Sequence, residues 1–158
     1  MIKFRPHSKE DIPFRFKWLN DKKVVNFIFD NFKQPTTLAK QKLWFKNYEN
    51  NPCKKFFTIL DDDNPIGFMG LSKIDTKEKR AEVFILIGEG EYRGKGVGRI
   101  SMNYLIDIAF KELRLKHLAL EVNKLNNPAI KLYQSLGFQK TKENDREIEM
   151  IFHASNLD

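Results

Sequence analysis

The sequence has little that would mark it as exported, membrane-bound or metal-dependent. A single cysteine, Cys53, excludes an intrachain disulfide and a two-cysteine zinc site, and its setting in "NNPCKK" predicts a surface loop more than a nucleophile. The N-terminal stretch has no apolar signal core, and no apolar run approaches the length of a membrane span. The histidines, His7, His117 and His153, show no metal spacing. We therefore expect a cytoplasmic protein without a metal ion.

Length and charge narrow the class further. The 158 residues contain no internal repeat, low-complexity tract or linker, which predicts one domain over residues 1–158. The formal net charge of +7 favours anionic partners, such as a phosphorylated cofactor, a nucleotide-linked substrate or nucleic acid. The alternative is a protein that is merely basic. No nucleic-acid module is recognisable among the scattered lysines, so no nucleic acid is expected as a partner.

Hydrophobic periodicity predicts an α+β fold, a mixture of strands and helices in one domain. The predicted strands are IKFRP, KKFFTIL, IGFMGLSKI, AEVFILIG, HLALEVN, FQKTKE and REIEMIFHA. The predicted helices are SKEDIPFRFKWLND, DKKVVNFIF, TTLAKQKLWFKNYENN, the segment around 102–113 and NNPAIKLYQSLGF. Their order implies a mostly antiparallel central sheet of about six or seven strands with helices on both faces. AEVFILIG is apolar on both faces and is expected to be a central strand.

Several local details of the helices are also predicted. Ser8 and Asp11 have the spacing of a capping box, and Asn127 suits the N-cap of the last helix, with Pro128 in its first turn and Gly137 at its end. The third helix is expected to bury one apolar face, made of Leu38, Leu43, Trp44 and Tyr48. The fourth is expected to bury a clear stripe, made of Met102, Leu105, Ile106, Ala109, Phe110 and Leu113.

The stretch "YRGKGVG", from Tyr92 to Gly98, lies between the central strand and a helix. Glycines let a ligand approach the backbone, and amides at a helix N-terminus favour negative charge, so the loop predicts a phosphate site. It is not a Walker A loop, and it comes too late in the chain for a Rossmann fingerprint. The alternative is a glycine-rich turn without a ligand.

A second motif, one helix later, gives the loop a context. Arg93-Gly94-Lys95-Gly96-Val97-Gly98, followed by the segment from Asn126 to Phe138 in "NNPAIKLYQSLGF", resembles the signature of the GNAT superfamily of acetyl-CoA-dependent N-acetyltransferases. The N-terminal region is similar to that of the subgroup that acetylates ribosomal proteins and amino sugars. The order of elements resembles the family along nearly the whole chain, so a GNAT-like domain is expected.

The resemblance implies acetyl-CoA as co-substrate and assigns the residues that would bind it. The backbone amides from Arg93 to Arg99 would hold the pyrophosphate, and the strand near Leu86 to Gly88 would splay from its neighbour and pair with the pantetheine arm. Asn126 matches a coenzyme-contacting asparagine of the family, although a helix cap would equally explain it. The implied coenzyme-binding residues are Leu86, Ile87, Gly88, Arg93, Gly94, Lys95, Gly96, Val97, Gly98, Arg99 and Asn126.

The resemblance also implies the catalytic groups. Tyr133 matches the family's tyrosine near the thioester sulfur and would protonate the leaving thiolate, whereas its place on an apolar stripe would otherwise indicate a core residue. Two glutamates match positions that carry a base in family members, Glu121 and Glu82, the first slightly favoured. An ion pair or simple exposure at a strand end is the alternative for both. Direct attack in a ternary complex is expected, without an acyl-enzyme.

The acceptor is expected to be a primary amine, either of a small molecule such as an amino sugar or of a protein N-terminus. The basic, aromatic segment with Trp18, Phe27, Phe29 and Phe32 could stack a sugar or base, unless it is plain core. A polyamine fits less well, because the acidic run at 61–63 predicts a solvated turn and no acidic cleft. A coenzyme-binding sensor without turnover is the rival function. A homodimer is common among proteins that the chain resembles.

Overall fold

The computed structural model describes residues 1–26 and 35–157, which build one seven-stranded sheet. The strands are β1 Ile2–Pro6, β2 Lys55–Asp61, β3 Asn64–Asp75, β4 Arg80–Ile87, β5 His117–Asn123, β6 Gln139–Glu143 and β7 Glu147–His153. Their spatial order is β1-β2-β3-β4-β5-β7-β6, and every neighbouring pair is antiparallel except β4 and β5. The prediction of an α+β fold with β4 at the centre is confirmed.

Five α-helices connect these strands within the described residues. They are α1 Ile12–Leu19, α2 Lys22–Val25, α3 Leu38–Glu49, α4 Val97–Asp107 and α5 Asn127–Leu136. Short 3-10 turns lie at Lys9–Asp11, Gly90–Tyr92 and Ala154–Leu157, and α4 continues into a π-helical turn at Ile108–Glu112. The stripe predicted from Met102 onward is confirmed, since its members are buried or packed on the core.

Helices cover both faces of the sheet, as predicted. On one face α4, its π turn and α5 pack on alternate residues of the strands, such as Leu118 and Leu120 of β5, to form the main core. On the other face α1 and α2 contribute Trp18 and Val24 to a second core on Phe68 and Leu86. Because side chains alternate along a strand, the residues between those of the main core face the α1 side.

The predicted apolar face of α3 is confirmed for Trp44 and Tyr48, which are half-buried and stack on Phe56, and it is wrong for the two leucines. Leu38 and Leu43 are 39% and 59% exposed, whereas Gln41 and Phe45 are buried. Gln41 accepts a hydrogen bond from the buried Arg15 of α1. This polar contact turns Gln41 of α3 toward the core and leaves the two leucines in solvent. The pattern of apolar residues along the helix carries no sign of such a partner, which lies 26 residues away in sequence.

Two helix starts also differ from the prediction. The N-cap of α5 is Asn126, whose Oδ1 accepts a hydrogen bond from the Ala129 amide at 3.3 Å, so the helix begins at Asn127. Near the N-terminus the Asp11 carboxylate accepts the Ser8 amide at 2.9 Å, as in a capping box, but the turn between them is 3-10 and α1 starts only at Ile12.

The remaining sequence predictions concern single residues. Cys53 is exposed, as expected of a surface loop. Trp18 is 1% exposed and belongs to the second core, which confirms the plain-core alternative for that ring. Phe27, Phe29 and Phe32 lie outside the described residues. Nowhere in residues 1–26 and 35–157 is a helix both long and apolar enough to cross a membrane.

Candidate active site

The sheet is interrupted between its two parallel strands. β4 and β5 pair only from Arg80–His117 to Glu82–Ala119, and beyond that point they diverge. β4 continues along β3 as far as Ile87, and β5 continues along β7 as far as Asn123. The splay expected from the sequence is thus present, and it leaves one edge of each strand without a strand partner. We call the wedge between Val83–Ile87 and Leu120–Asn123 the opening.

The glycine loop lies at the end of β4 and leads into α4. Gly94 and Gly96 have φ of +73° and +83°, a left-handed conformation that only glycine adopts at low cost, and a Cβ on either would meet nothing within 4 Å. The backbone N–H groups from Gly94 to Arg99 are free: none forms a hydrogen bond of normal length and angle with another described residue. The α4 dipole adds partial positive charge there, so the loop presents an anion site.

One amide of the predicted cradle, that of Arg93, already has a hydrogen-bond partner, since it donates to the Gly90 carbonyl at 3.1 Å. The Arg93 guanidinium donates to the Ile87 carbonyl at 3.2 Å, at the mouth of the opening. Arg99 donates to Ser135 at 2.6 Å and ties the start of α4 to α5, while the Lys95 side chain is exposed beside the glycines.

The end of β4 is fixed by α1. Leu86 is 1% exposed in the second core, and the Trp18 ring lies so close to Gly88 that a Cβ there would clash with it. The Gly88 amide donates to the Ile66 carbonyl at 2.8 Å, so that amide is taken, and the Ile87 carbonyl is taken by Arg93. Two of the backbone groups expected to bind the arm, the Gly88 amide and the Ile87 carbonyl, are therefore occupied in this structure.

Tyr133 lies on α5 and packs against the main core, with its ring 5.9 Å from that of Phe138. Burial raises the pKa of the Tyr133 phenol to about 12, so the hydroxyl stays protonated at neutral pH. No other described residue forms a hydrogen bond with this hydroxyl, which leaves its proton available. The Asn126 side-chain oxygen accepts the hydrogen bond that caps α5, so only its side-chain NH₂ group remains free to bind a ligand.

The two candidate bases lie on the α1 face of the sheet, on either side of the opening. Glu82 is opposite Ala119 in the parallel register, and Glu121 follows two residues along β5, so both carboxylates share this face. Glu82 forms an ion pair with Lys73 at 3.2 Å. Glu121 is exposed, and within the described part of the chain no ion pair or hydrogen bond holds its carboxylate.

A third carboxylate, Glu149, was missed from the sequence. It lies directly opposite Glu121 in the antiparallel pair of β5 and β7 and therefore on the same face. Like charges directly opposite each other destabilise a sheet, so the presence of two carboxylates at this position needs an explanation. Glu149 accepts a hydrogen bond from Thr141 at 2.8 Å. The alternation in "REIEMIF" puts Glu149 on the face opposite Met150 and could have indicated it, had the pairing of β7 with β5 been known.

An aromatic cluster, made of Trp44, Tyr48, Phe56, Phe68 and Phe84, borders the carboxylates on the same face. Phe84 is two residues from Glu82 on β4, and its ring lies 4.8 Å from Phe56 and 5.8 Å from Phe68. Behind Phe68, Arg15 of α1 is 5% exposed, with its guanidinium over the Trp44 ring. Sequence periodicity gives no sign of this arrangement, because its members come from three strands and two helices.

The described residues contain no group of three or more His, Cys, Asp or Glu side chains placed to hold a metal ion. His117 and His153 do meet, with their Nδ1 atoms 2.8 Å apart across β5 and β7. One of the two nitrogens must donate and the other accept, so the pair shares a single proton.

Comparison with known proteins gives this geometry a family. The family model described as acetyltransferase (GNAT) domain matches residues 2–139. The chain is 29% identical over 137 residues to spermidine N(1)-acetyltransferase of Escherichia coli K12, covering 87% of this chain and 72% of that protein. It is 28% identical over 135 residues to acetyltransferase PseH of Campylobacter jejuni, covering 85% and 81%.

Solved structures show the same fold. Spermidine N-acetyltransferase from Vibrio cholerae, in complex with CoA and spermine, superimposes with a TM-score of 0.88 over 98% of this chain and 96% of that one, at 22% identity. A domain from Methanocaldococcus jannaschii superimposes with a TM-score of 0.83, covering 97% and 98%, at 23% identity. At such identities the likeness concerns the fold alone.

Proposed function

This chain belongs to the GNAT acetyltransferase family, and from that premise we propose that its opening, its glycine loop and its carboxylate face transfer an acetyl group to a small-molecule primary amine. The protein is an acetyl-CoA-dependent N-acetyltransferase. The observation that carries the residue assignments is the parting of β4 and β5 next to the free amides at the start of α4. A pyrophosphate on those amides would place the pantetheine arm along the opening.

We assign the residues of the coenzyme site accordingly. The amides from Gly94 to Arg99 hold the pyrophosphate, and Lys95 adds charge. The Arg93 guanidinium leaves the Ile87 carbonyl for a phosphate when the coenzyme binds, which frees that carbonyl for the arm. Leu86 and Gly88 fix the strand end, and the free amide of Asn126 contacts the arm from the α5 side.

The acid and the base lie on opposite faces of the opening. Glu121 on the α1 face takes a proton from the ammonium, and the free amine attacks the thioester carbonyl. The carbon–sulfur bond then breaks, and the thiolate takes the proton of Tyr133, which approaches from the α5 side. Glu121 is preferred over Glu82, because Lys73 already pairs with Glu82, whereas no described residue pairs with Glu121.

The acceptor is a primary amine that enters from the α1 face. Glu82, Glu121 and Glu149 put three carboxylates on this face. Lys73 pairs with Glu82 and Lys142 with Glu149, so Glu121 is the carboxylate left to attract an ammonium. The absence of an acidic cleft was the reason to place polyamines behind amino sugars, and this face weakens that reason. Polyamines are therefore acceptor candidates, in line with the spermidine enzyme among the relatives. A protein N-terminus, a homodimer and a cytoplasmic location stay predictions.

The experiment is thiol release from acetyl-CoA with a panel of amines, on the wild type and on Glu121→Gln and Glu82→Gln. We expect Glu121→Gln to lower kcat about a hundredfold, since general-base catalysis contributes at least that much. Glu82→Gln is the matched control on the neighbouring strand and should change kcat less than about tenfold. The reverse order of the two effects would move the base to Glu82.

The rival function, a sensor that binds acetyl-CoA without turnover, has its own signature. Acetyl-CoA would raise the melting temperature by mass action, yet no amine would release thiol. A wild type that releases thiol with an amine in proportion to acetylated product excludes the sensor.

A further inference from the structure

We propose that Arg15 and His7 form a hydroxyl-binding subsite for the acceptor, and that the acceptor is therefore a hydroxylated amine, such as an amino sugar, more than a polyamine. This inference rests on the proposed function, because it concerns the acceptor of that reaction. Two buried polar atoms that have no hydrogen-bond partner among the described residues, Arg15 Nη1 and His7 Nε2, carry it.

Arg15 is a buried cation that no carboxylate pairs with in residues 1–26 and 35–157. Its guanidinium carbon lies 3.6 Å from the centroid of the Trp44 ring and 4.3 Å from that of Phe68. Nε donates to Gln41 at 3.1 Å, but Nη1 is buried with no acceptor in the described residues. Desolvation lowers the pKa of Arg15 to about 9, so the group is still protonated at neutral pH. A buried donor left unpaired costs more than the net gain of an ordinary hydrogen bond.

His7 offers the complementary acceptor. Its Nδ1 lies 2.7 Å from Thr58 Oγ1, and that hydroxyl donates its own proton to Asp11 at 2.7 Å. Nδ1 must therefore carry the hydrogen, which leaves a lone pair on the buried Nε2. Desolvation, and after it the charge of Arg15, lower the pKa of His7 to about 4, so the ring is neutral.

Both orphaned atoms belong to side chains that contact the same rings. The His7 ring lies 5.8 Å from Phe68 and 6.0 Å from Trp44, the two rings over which Arg15 stacks. The unpaired donor of Arg15 and the unpaired acceptor of His7 lie beside the same aromatic rings. A hydroxyl group suits both, because it can accept a hydrogen bond from Arg15 and donate one to His7. A carboxylate or phosphate has no hydrogen for His7, and an ammonium has no lone pair for Arg15.

One aromatic ring, that of Phe84, lies between the carboxylates and the subsite. Phe68, under the guanidinium, contacts Phe84, which follows Glu82 by two residues or roughly 7 Å along β4. An amine at Glu121 or Glu82 that extends over Phe84 therefore reaches toward Arg15. A polyamine extended in this way would bring a second cation toward a buried guanidinium, which is repulsive, and would leave both orphaned atoms unpaired.

The test compares glucosamine with cyclohexylamine, which keeps a six-membered ring and the amine but has no hydroxyl, together with spermidine. The readout is the selectivity ratio, kcat/KM for glucosamine divided by kcat/KM for cyclohexylamine. We expect a high ratio for the wild type and a fall of about tenfold or more in Arg15→Met, since one hydrogen bond to a charged donor is lost. Arg15→Lys keeps the charge without the Nη1 donor, and the ratio should fall there too.

Lys54→Met is the matched control. Its ammonium lies 6.0 Å from the same Trp44 ring, so the variant removes a nearby positive charge without touching the subsite, and the ratio should stay. If both Arg15 variants keep the wild-type ratio, or if spermidine has the highest kcat/KM of the three amines, the inference is overturned and a buried water satisfies both atoms. If no amine releases thiol, the proposed function itself fails.

Discussion

Tyr133 combines a core position with a reactive group. Its half-buried ring packs against the main core, and the burial that raises the pKa to about 12 also keeps the hydroxyl protonated. A phenol of such high pKa is a weaker acid than an exposed one, so close contact with the sulfur must compensate for the less favourable proton transfer. In the role proposed for Tyr133, packing and proton transfer both depend on the same burial.

Removal of the hydroxyl tests this assignment at the level of one atom. Tyr133→Phe should lower kcat about a hundredfold and leave the dissociation constant of coenzyme A within about twofold, because the ring and its packing remain. Steady-state kinetics and calorimetric titration give the two values. If kcat is unchanged in this variant, the role of Tyr133 is structural only.

Two residues of α1 hold the chain just before the glycine loop. Trp18 of α1 donates its indole N–H to Glu89 at 3.0 Å, and Lys17 pairs with the same carboxylate at 2.8 Å. Glu89 directly follows Gly88, on which the Trp18 ring lies, and precedes the turn into the glycine loop. The acceptor-side helix and the coenzyme loop are therefore held together at one point.

The loop conformation can be tested with one methyl group. Gly96→Ala should destabilise the protein by about 1 kcal/mol, because alanine resists a φ of +83°. Its Cβ would enter the open space of the phosphate cradle, so the affinity for coenzyme A should fall about tenfold or more. Urea unfolding and calorimetric titration measure the two effects.

Gly90→Ala is the control for that experiment. Gly90 lies in the same stretch, but its φ is not left-handed and the nearest atom to an added Cβ is on the Arg93 side chain at 3.7 Å. Coenzyme affinity and stability should stay close to wild type. Equal losses in both variants would mean that the stretch tolerates no methyl group, and the cradle would lose its support.

At the scale of the whole molecule, one buried network links β1, the first turn and β2. Arg5 forms two hydrogen bonds of 2.7 Å with Asp11, which also accepts from Thr58, and Thr58 pairs with His7. Burial alone would raise the pKa of Asp11, but the bonds from Arg5, Ser8 and Thr58 keep it below its usual value. The network therefore holds a charged Asp11 and a neutral His7.

Stability should depend on pH through His7. Its pKa is about 4 in the folded protein, against an ordinary value of 6.5 for a histidine in the unfolded chain, so unfolding takes up a proton between these values. The contribution is complete above pH 6.5 and is lost as the pH falls toward 4. We expect the free energy of unfolding to be roughly 2 kcal/mol lower at about pH 5 than at about pH 7, measured by urea denaturation.

His7→Phe provides the comparison, since it cannot titrate. The difference in stability between the two pH values should largely disappear in this variant. His117, whose pKa burial and His153 also lower, contributes to any remainder. A His7→Phe protein with the full wild-type difference would show that His7 is not the group that titrates.

The sequence by itself determined the elements and the coenzyme loop. The stripe of α4, the glycines at 94 and 96 and the strand pattern are local signals, because periodicity and positive φ are properties of neighbouring residues. The seven strands and the place of the loop after the central strand follow from them. The motif from Asn126 onward placed α5 within one residue.

Only the tertiary structure decided which residues meet on the acceptor face. The pairing of Glu121 with Glu149, the ion pair of Glu82 and the rotation of α3 toward Arg15 all join residues from different elements. Strand order and helix rotation depend on the sum of many distant contacts, which no local pattern contains. The physical reason is burial: a guanidinium or an imidazole finds its partners only when the sheet and two helices close around it.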